Sequence, residues 1–385
     1  VQAWIWPTTP GKGEQGLICR WQDEPALGFA LFIDDSGALA MKVADGSGQL
    51  AQVSSAEPLA TRRWYLVSGS YDAESGELSV CQEPIDGSHE KLKSAEVSQT
   101  VELNKLTPCN APLMMAASPA VLSTGRAASQ QHFNGKMDRP RLSAGVLTQA
   151  ERTALAGPDL PDQLDVELIA AWDFSRDIGS CTLTDVGAGA LHGTTVNLPS
   201  RGCKGYNWNG TEQNWSHAPE QYGAIHFHQD DLYDAGWDAD FEYLIPEDLP
   251  SGVYAVRLQT DGDEWYATFF VRPRPGTTTA KLAFLASTVT YMAYGNYHWL
   301  MHERFGEVTE SIWTTLDKGD VFLQEHNELG LSTYDTHADG SGVRYASRLR
   351  PVLNMTPKGP LWSFNADTHI LGWLEQQGIE YDVIT

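Results

Sequence analysis

The sequence predicts two β-sandwich-type regions followed by the opening of an α/β domain. Three observations predict it. Short runs of strand-forming residues recur roughly every ten residues as far as about residue 275, separated by Gly-, Asp- and Ser-rich turns. The segment Arg272-Pro273-Arg274-Pro275-Gly276, followed by three threonines, has the composition of a linker. Beyond Lys281 the order becomes apolar run, amphipathic segment, apolar run, as in a strand-helix-strand unit.

Residues 1–160 read as antiparallel β. Val1-Gln2-Ala3-Trp4-Ile5-Trp6 has neither a basic nor a long apolar stretch, so it is no signal peptide and reads as a strand in mid-domain. The expectation is that residues precede it. Phe29 to Ile33, the turn Asp34-Asp35-Ser36-Gly37, and Ala38 to Val43 form a hairpin, with Gly37 able to take positive φ. Trp64 to Tyr71, a turn over 72–76, and Glu77 to Val80 repeat the plan. Phe133 to Ser143 and Leu147-Thr148-Gln149-Ala150-Glu151 follow.

Residues 161–275 are also strand-rich and predict an immunoglobulin-like region. Val166 to Trp172 is one strand, Phe241-Glu242-Tyr243 begins another, and Val253 to Leu258 and Trp265 to Val271 form a hairpin. Residues 281–385 predict the first part of an α/β domain of the class I glutamine-amidotransferase-like kind. Leu282 to Ala286 is a short buried parallel strand. Asn365-Ala366-Asp367 is expected to cap a helix that presents Ile370, Leu371 and Leu374 on one face and stops at Gly378. Tyr381 to Ile384 is the next strand. One strand-helix-strand cannot bury both faces of a sheet. The expectation is therefore a domain that continues past Thr385 and a 281–385 portion unstable by itself.

Acidic residues number 50 against 26 basic, a net charge of −24 that repels nucleic acid and anionic membranes. No run of about 18 apolar residues occurs, so no membrane span is expected. Five cysteines, with no Cys-x-x-Cys, argue against a zinc ribbon or a disulfide framework and fit a reducing, cytoplasmic compartment.

Several patterns bear on chemistry. His226-Phe227-His228 with Asp230 and Asp231 offers metal-ligand spacing on one strand face, but alternation makes such pairs common on polar faces, and that reading is preferred. His298 and His302 have helical spacing without the glutamate of a His-Glu-x-x-His site. No cysteine follows Cys203, so the α/β segment supplies no amidotransferase nucleophile, and no Gly-x-Ser-x-Gly elbow, Walker loop or dinucleotide fingerprint occurs. Two tyrosine-bearing segments remain. Ser287 to Asn296 lies just beyond the carboxyl end of the first α/β strand, where open α/β sheets place ligands. Ser332 to Gly342 mixes Tyr, Asp, His and Gly without a regular period, as a shaped loop does.

The hairpin Trp64-Tyr65-x-Val67-x-Gly69-x-Tyr71-Asp72 with Gly76-x-Leu78, and Phe133-x-Gly135-x-x-Asp138-x-x-Arg141-Leu142 with Leu147-Thr148-x-x-Glu151, resemble the laminin-G or concanavalin-like β-sandwich family. Members bind sugars or calcium, or only pack against a neighbour; packing is the role expected here. Leu282 to Ala286, Thr290-Tyr291-x-Ala293-Tyr294-x-Asn296 and Tyr334-Asp335-x-His337-x-Asp339-Gly340-Ser341-Gly342 resemble the N,N-dimethylformamidase large-subunit family. The likeness includes Ala171 to Ser175, Trp208-Asn209-Gly210, His226 to Leu232 and Pro250 to Ala255, and so spans nearly the whole chain.

That resemblance implies hydrolysis of a small amide such as dimethylformamide to amine and formate, by an enzyme pairing this large subunit with a small partner subunit in a hetero-oligomer. It implies a mononuclear Fe(3+) held by two tyrosinates and a glutamate. Tyr294 and Tyr334 match the tyrosine ligands, with Tyr291 as the reserve for the first. The family's glutamate sits in a His-Pro-Glu-Tyr-Trp segment, which does not occur in these residues. His337, Asp335 and Asn296 are candidates for orienting ligands or substrate. The alternative is a lectin-like carbohydrate-binding or structural protein without catalysis.

Overall fold

A computed structural model describes residues 1–85, 92–103, 105–121, 127–297, 318–357, 359 and 361–385. The chain divides into two compact units, Val1–Gln229 and Asp230–Thr385.

The first unit is built on two antiparallel sheets. A path of eight strands runs in the order Gly193–Thr194, Thr182–Asp185, Leu168–Asp173, Gly135–Ser143, Gln2–Pro7, Tyr65–Asp72, Glu77–Pro84, Ala95–Thr100. Ala224–Phe227 also pairs with Gly135–Ser143, and Ser200–Cys203 pairs with it in turn, which makes ten strands. The second sheet has five strands: Leu50–Pro58, Ala38–Asp45, Leu27–Ile33, Gln15–Gln22 and Met114–Met115.

Alternation decides what each face does. Ile5, Val67, Leu78 and Val80 from one sheet share a core with Ile18, Leu31, Met41 and Val43 from the other. Each such side chain, fully buried, contributes roughly 1.5–3 kcal/mol. The opposite face of the smaller sheet buries Cys19, Trp21, Ala30, Phe32, Ala40 and Ala44. Lys42 Nζ lies 5.1 Å from the Trp21 ring centre and 4.8 Å from that of Phe32, and pairs with Glu14 at 2.6 Å. Gly28 is obligatory: at φ +106° an added Cβ would come 2.0 Å from the Arg20 carbonyl oxygen. All five cysteines are free, and only Cys181 is exposed.

The region expected to be immunoglobulin-like is arranged differently. Leu168–Asp173 pairs with Gly135–Ser143 through Arg141↔Ala171 and Leu142↔Ala170. It places Ala170 and Trp172 in the main core, so the strands of 168–227 extend the first unit's sheet instead of building a second sandwich. Local strand pattern cannot reveal which sheet a strand joins. Phe241-Glu242-Tyr243 is no strand; Phe241 and Tyr243 are exposed within irregular chain.

The second unit contains a hairpin, Gly252–Thr260 with Asp263–Val271, paired from Gly252↔Val271 to Thr260↔Asp263. Its turn is Asp261-Gly262, with Gly262 at φ +95°. Leu282–Leu285 runs parallel to Tyr381–Ile384, and the helix Phe364–Gln376 lies between them in sequence, as the pattern predicts. The expected cap is not made. Asn365 and Asp367 lie inside the helix, and Ser363 holds the cap position at φ +70° without a side-chain bond. Leu371 and Leu374 join Ala286, Tyr291, Leu361, Phe364, Tyr381 and Val383 in this unit's core, but Ile370 is exposed. No helix among the described residues is long and apolar enough to cross a membrane. His298 and His302 lie outside the described residues.

Candidate functional site

The short helix Thr288–Ala293 follows the strand Leu282–Leu285 and carries two tyrosines, one turn apart, into different surroundings. Tyr291 is 1% exposed, and its ring lies against Phe270 and Phe364. Its hydroxyl donates to the Asp367 carboxylate. Burial, then that carboxylate, push the Tyr291 phenol far above its ordinary range.

Tyr294 caps the C-terminal end of the helix and points elsewhere. Its ring stacks on Tyr334, with centroids 3.9 Å apart and planes 15° apart. Tyr297 lies 5.8 Å from each of these rings, and Trp362 lies 6.0 Å from Tyr294. A hydrogen bond with Tyr334, then burial, push the Tyr294 phenol up to about 12. Tyr334 is 51% exposed, so the stacked pair opens to solvent on one side.

The loop carrying Tyr334 alternates in burial. Asp335, His337 and Asp339 are buried, and Tyr334, Thr336 and Ala338 are exposed. The inward face is polar, and a hydrophobic period cannot expose such a pattern. Each inward residue is engaged. Asp335 Oδ2 accepts from Ser332 N at 2.9 Å, and Asp339 Oδ1 accepts from Ser341 N at 2.9 Å and Oγ at 2.6 Å. His337 Nδ1 lies 2.7 Å from Asp230 Oδ1, and its Nε2 lies 3.8 Å from Asp231 Oδ1. Burial pushes the His337 imidazolium down, but the Asp230 bond and the surrounding carboxylates outweigh it, so the net shift is upward.

Asn296 is fully buried at φ +62°. Its Nδ2 donates to Pro351 O at 2.8 Å and Gly330 O at 3.3 Å, and its Oδ1 accepts from Leu353 N at 2.8 Å. It joins the two tyrosine-bearing segments instead of facing solvent.

Of the residues singled out from sequence, Tyr294 and Tyr334 come together, with Asp335 and His337 on the same loop as Tyr334. His226 and His228 sit in the first unit, both buried, their ring centres 4.1 Å apart. Asp230 and Asp231 belong to the second unit and face His337. Sequence reasoning missed the Asp230–His337 pairing across 107 positions, and it missed Tyr297, Trp362 and Arg350. No local period marks any of them. A cleft of about 840 Å³ in the same unit, lined by residues such as Ile245, Pro250, Arg272 and Tyr381, does not include the tyrosine pair.

Comparison with known proteins accounts for both units. Residues 200–385 match the family model described as N,N-dimethylformamidase beta subunit-like, C-terminal. Residues 1–151 match a concanavalin A-like lectin/glucanase superfamily model. The N,N-dimethylformamidase beta subunit of an Alcaligenes species is 36% identical over 408 aligned residues, covering 100% of this chain and 53% of the relative. That of Paracoccus aminophilus is 36% identical over 410, again covering 100% and 53%. A crystal structure of a Bacteroides ovatus protein superposes with a TM-score of 0.36 at 17% identity over 50% of each chain, a likeness that carries no argument. The chain spans about half the length of the curated relatives it matches. Residues 200–385 thus carry the N,N-dimethylformamidase beta subunit-like family sequence, and the chain along its whole length is a relative of those beta subunits, with a concanavalin-like sandwich at its N-terminal end.

Proposed function

We propose that the protein hydrolyses a small N-substituted amide, such as N,N-dimethylformamide, to an amine and formate, using ferric iron held by Tyr294, Tyr334 and a glutamate outside these residues. The observation that carries this reading is the stacked phenol pair Tyr294–Tyr334, on a partly open surface. The donors fit the ion: phenolate oxygen is hard, and so is a trivalent cation. Binding a trivalent cation between the two phenols would displace a proton from each. When bound, iron supplies a Lewis acid that polarises the amide carbonyl or lowers the pKa of water.

The chain's own residues do the rest. Tyr297 and Trp362 set further aromatic rings beside the phenols. Asp230 holds His337 through Nδ1, favouring its charged form and fixing its ring. Asp335 and Asn296 fix the two loops. The relatives are named beta subunits, which supports a hetero-oligomer with a small partner subunit. Five free cysteines support a cytoplasmic location.

Metal analysis of the full-length protein tests the assignment. Tyr294→Phe and Tyr334→Phe should each lose iron and the release of amine. Retention of both by both variants overturns it. The lectin-superfamily match favours a second reading for residues 1–151, a carbohydrate-binding module. Glycan binding by a protein that holds no metal would support it instead.

A further inference from the structure

Arg350 is 5% exposed, a rare place for a guanidinium. Its three bonds all go to main-chain carbonyls: Nε to Ser347 at 3.1 Å, Nη1 to Gly330 at 2.5 Å and Nη2 to Gly295 at 3.1 Å. Gly295 follows Tyr294 directly, and Gly330 begins the turn leading to Tyr334. The two ends of the fork therefore grip the two tyrosine-bearing segments. Gly330 makes room for it: a Cβ there would meet Arg350 Cδ at 2.8 Å. Further ties between the segments run from Asn296 Nδ2 to the same Gly330 carbonyl, and from Thr333 N and Oγ1 to Ala293 O at 3.0 and 3.1 Å.

A buried cation without a bonded carboxylate is costly, and an apolar side chain of similar volume would avoid the cost. What an apolar chain cannot do is hold two carbonyls from separate segments at one fixed spacing. A planar fork does so, and an ammonium on a flexible stem does not. We infer that Arg350 is a positioning residue for the tyrosine pair: it sets the spacing of Tyr294 and Tyr334, and through that the affinity and colour of the ferric centre they hold. This rests on the tyrosinate reading above.

The test uses the full-length protein with Arg350→Lys and Thr333→Val. Two properties are read: iron retained against a chelator, and the position of the phenolate-to-iron absorption band. Loss of general stability lowers occupancy but does not move the band. Arg350→Lys should weaken iron binding by about 10–100-fold, as removal of a ligand's supporting partner does, and should shift the band. Thr333→Val should shift both in the same direction by less. Unchanged affinity and band in Arg350→Lys overturn the inference. If that variant does not fold, Arg350→Gln, whose single amide cannot span both carbonyls, decides, and no change there overturns it equally. Iron that survives in both tyrosine-to-phenylalanine variants removes the tyrosinate reading itself, a result separable from the first because it needs no Arg350 variant.

Discussion

At the scale of single residues, His337 and Asp230 make one argument together. The imidazole is 4% exposed, so ionising it costs desolvation, yet a carboxylate at 2.7 Å returns more than that cost. A histidine whose folded pKa is raised contributes stability that is full below the unfolded value, about 6.5, and is lost as pH rises through the folded value. Asp230→Asn should therefore lower the His337 pKa, visible by NMR titration of its ring protons. It should destabilise by about 1.5–3 kcal/mol at acidic pH, the worth of a hydrogen bond to a charged group, and by less in alkaline solution. An unmoved His337 titration would refute the pairing. Both residues were legible from sequence as unusual polar positions, but their partnership was not, because 107 positions separate them. Tyr291 and Tyr294 make the same point. Sequence made Tyr294 the match and Tyr291 the reserve one turn away, and only packing shows Tyr291 held by Asp367 in the core and Tyr294 on Tyr334.

At the scale of elements, one helix went unread: Leu147 to Glu151 was taken only as part of a family motif, yet Thr148-x-x-Glu151 is a complete capping box on the helix Gln149–Leu155, with Thr148 Oγ1 accepting from Glu151 N at 3.3 Å and Glu151 Oε2 accepting from Thr148 N at 2.8 Å. Glu151 Oε1 also takes Asp165 N at 2.9 Å, tying the cap to the following loop. Thr148→Ala should cost about 1 kcal/mol in denaturant unfolding with an unchanged slope. A loss near zero would show that the Glu151 bonds suffice without the hydroxyl. The Asp34 to Gly37 turn was legible because its glycine can take positive φ, as Gly37 does. Phe241 to Tyr243 was misread because aromatic content alone suggests a strand; no partner strand accepts it. Asn365 and Asp367 looked like caps by residue type, yet the Asp367 carboxylate is taken by Tyr291, a partner 76 positions away.

At the scale of the whole molecule, the strand-helix-strand of 281–385 was readable, but its supports were not. The sheet it forms has two strands, and Leu282, Leu285 and Ile384 are 43%, 65% and 43% exposed. A two-stranded sheet is marginal by itself. Its core is completed by Val253 and Phe270 from the preceding hairpin, both packed against Tyr291, Phe364 and their neighbours. Polar ties run the same way. Val383 N donates to Ser251 Oγ at 2.7 Å, Thr268 Oγ1 donates to Met355 O at 2.9 Å, and Asp382 Oδ2 accepts from Thr279 N at 2.8 Å. Each partner named lies before residue 281. Those bonds hold the Asp382 carboxyl below its usual range, Thr279 contributing most. Excising 281–385 thus strips two core side chains and leaves the buried Asp382 without its donors. The piece should show no cooperative thermal transition by circular dichroism, whereas 230–385, which keeps the hairpin, should melt more sharply. A cooperative melt of 281–385 as sharp as that of 230–385 would mean that the strand-helix-strand holds itself together and that the hairpin is an accessory.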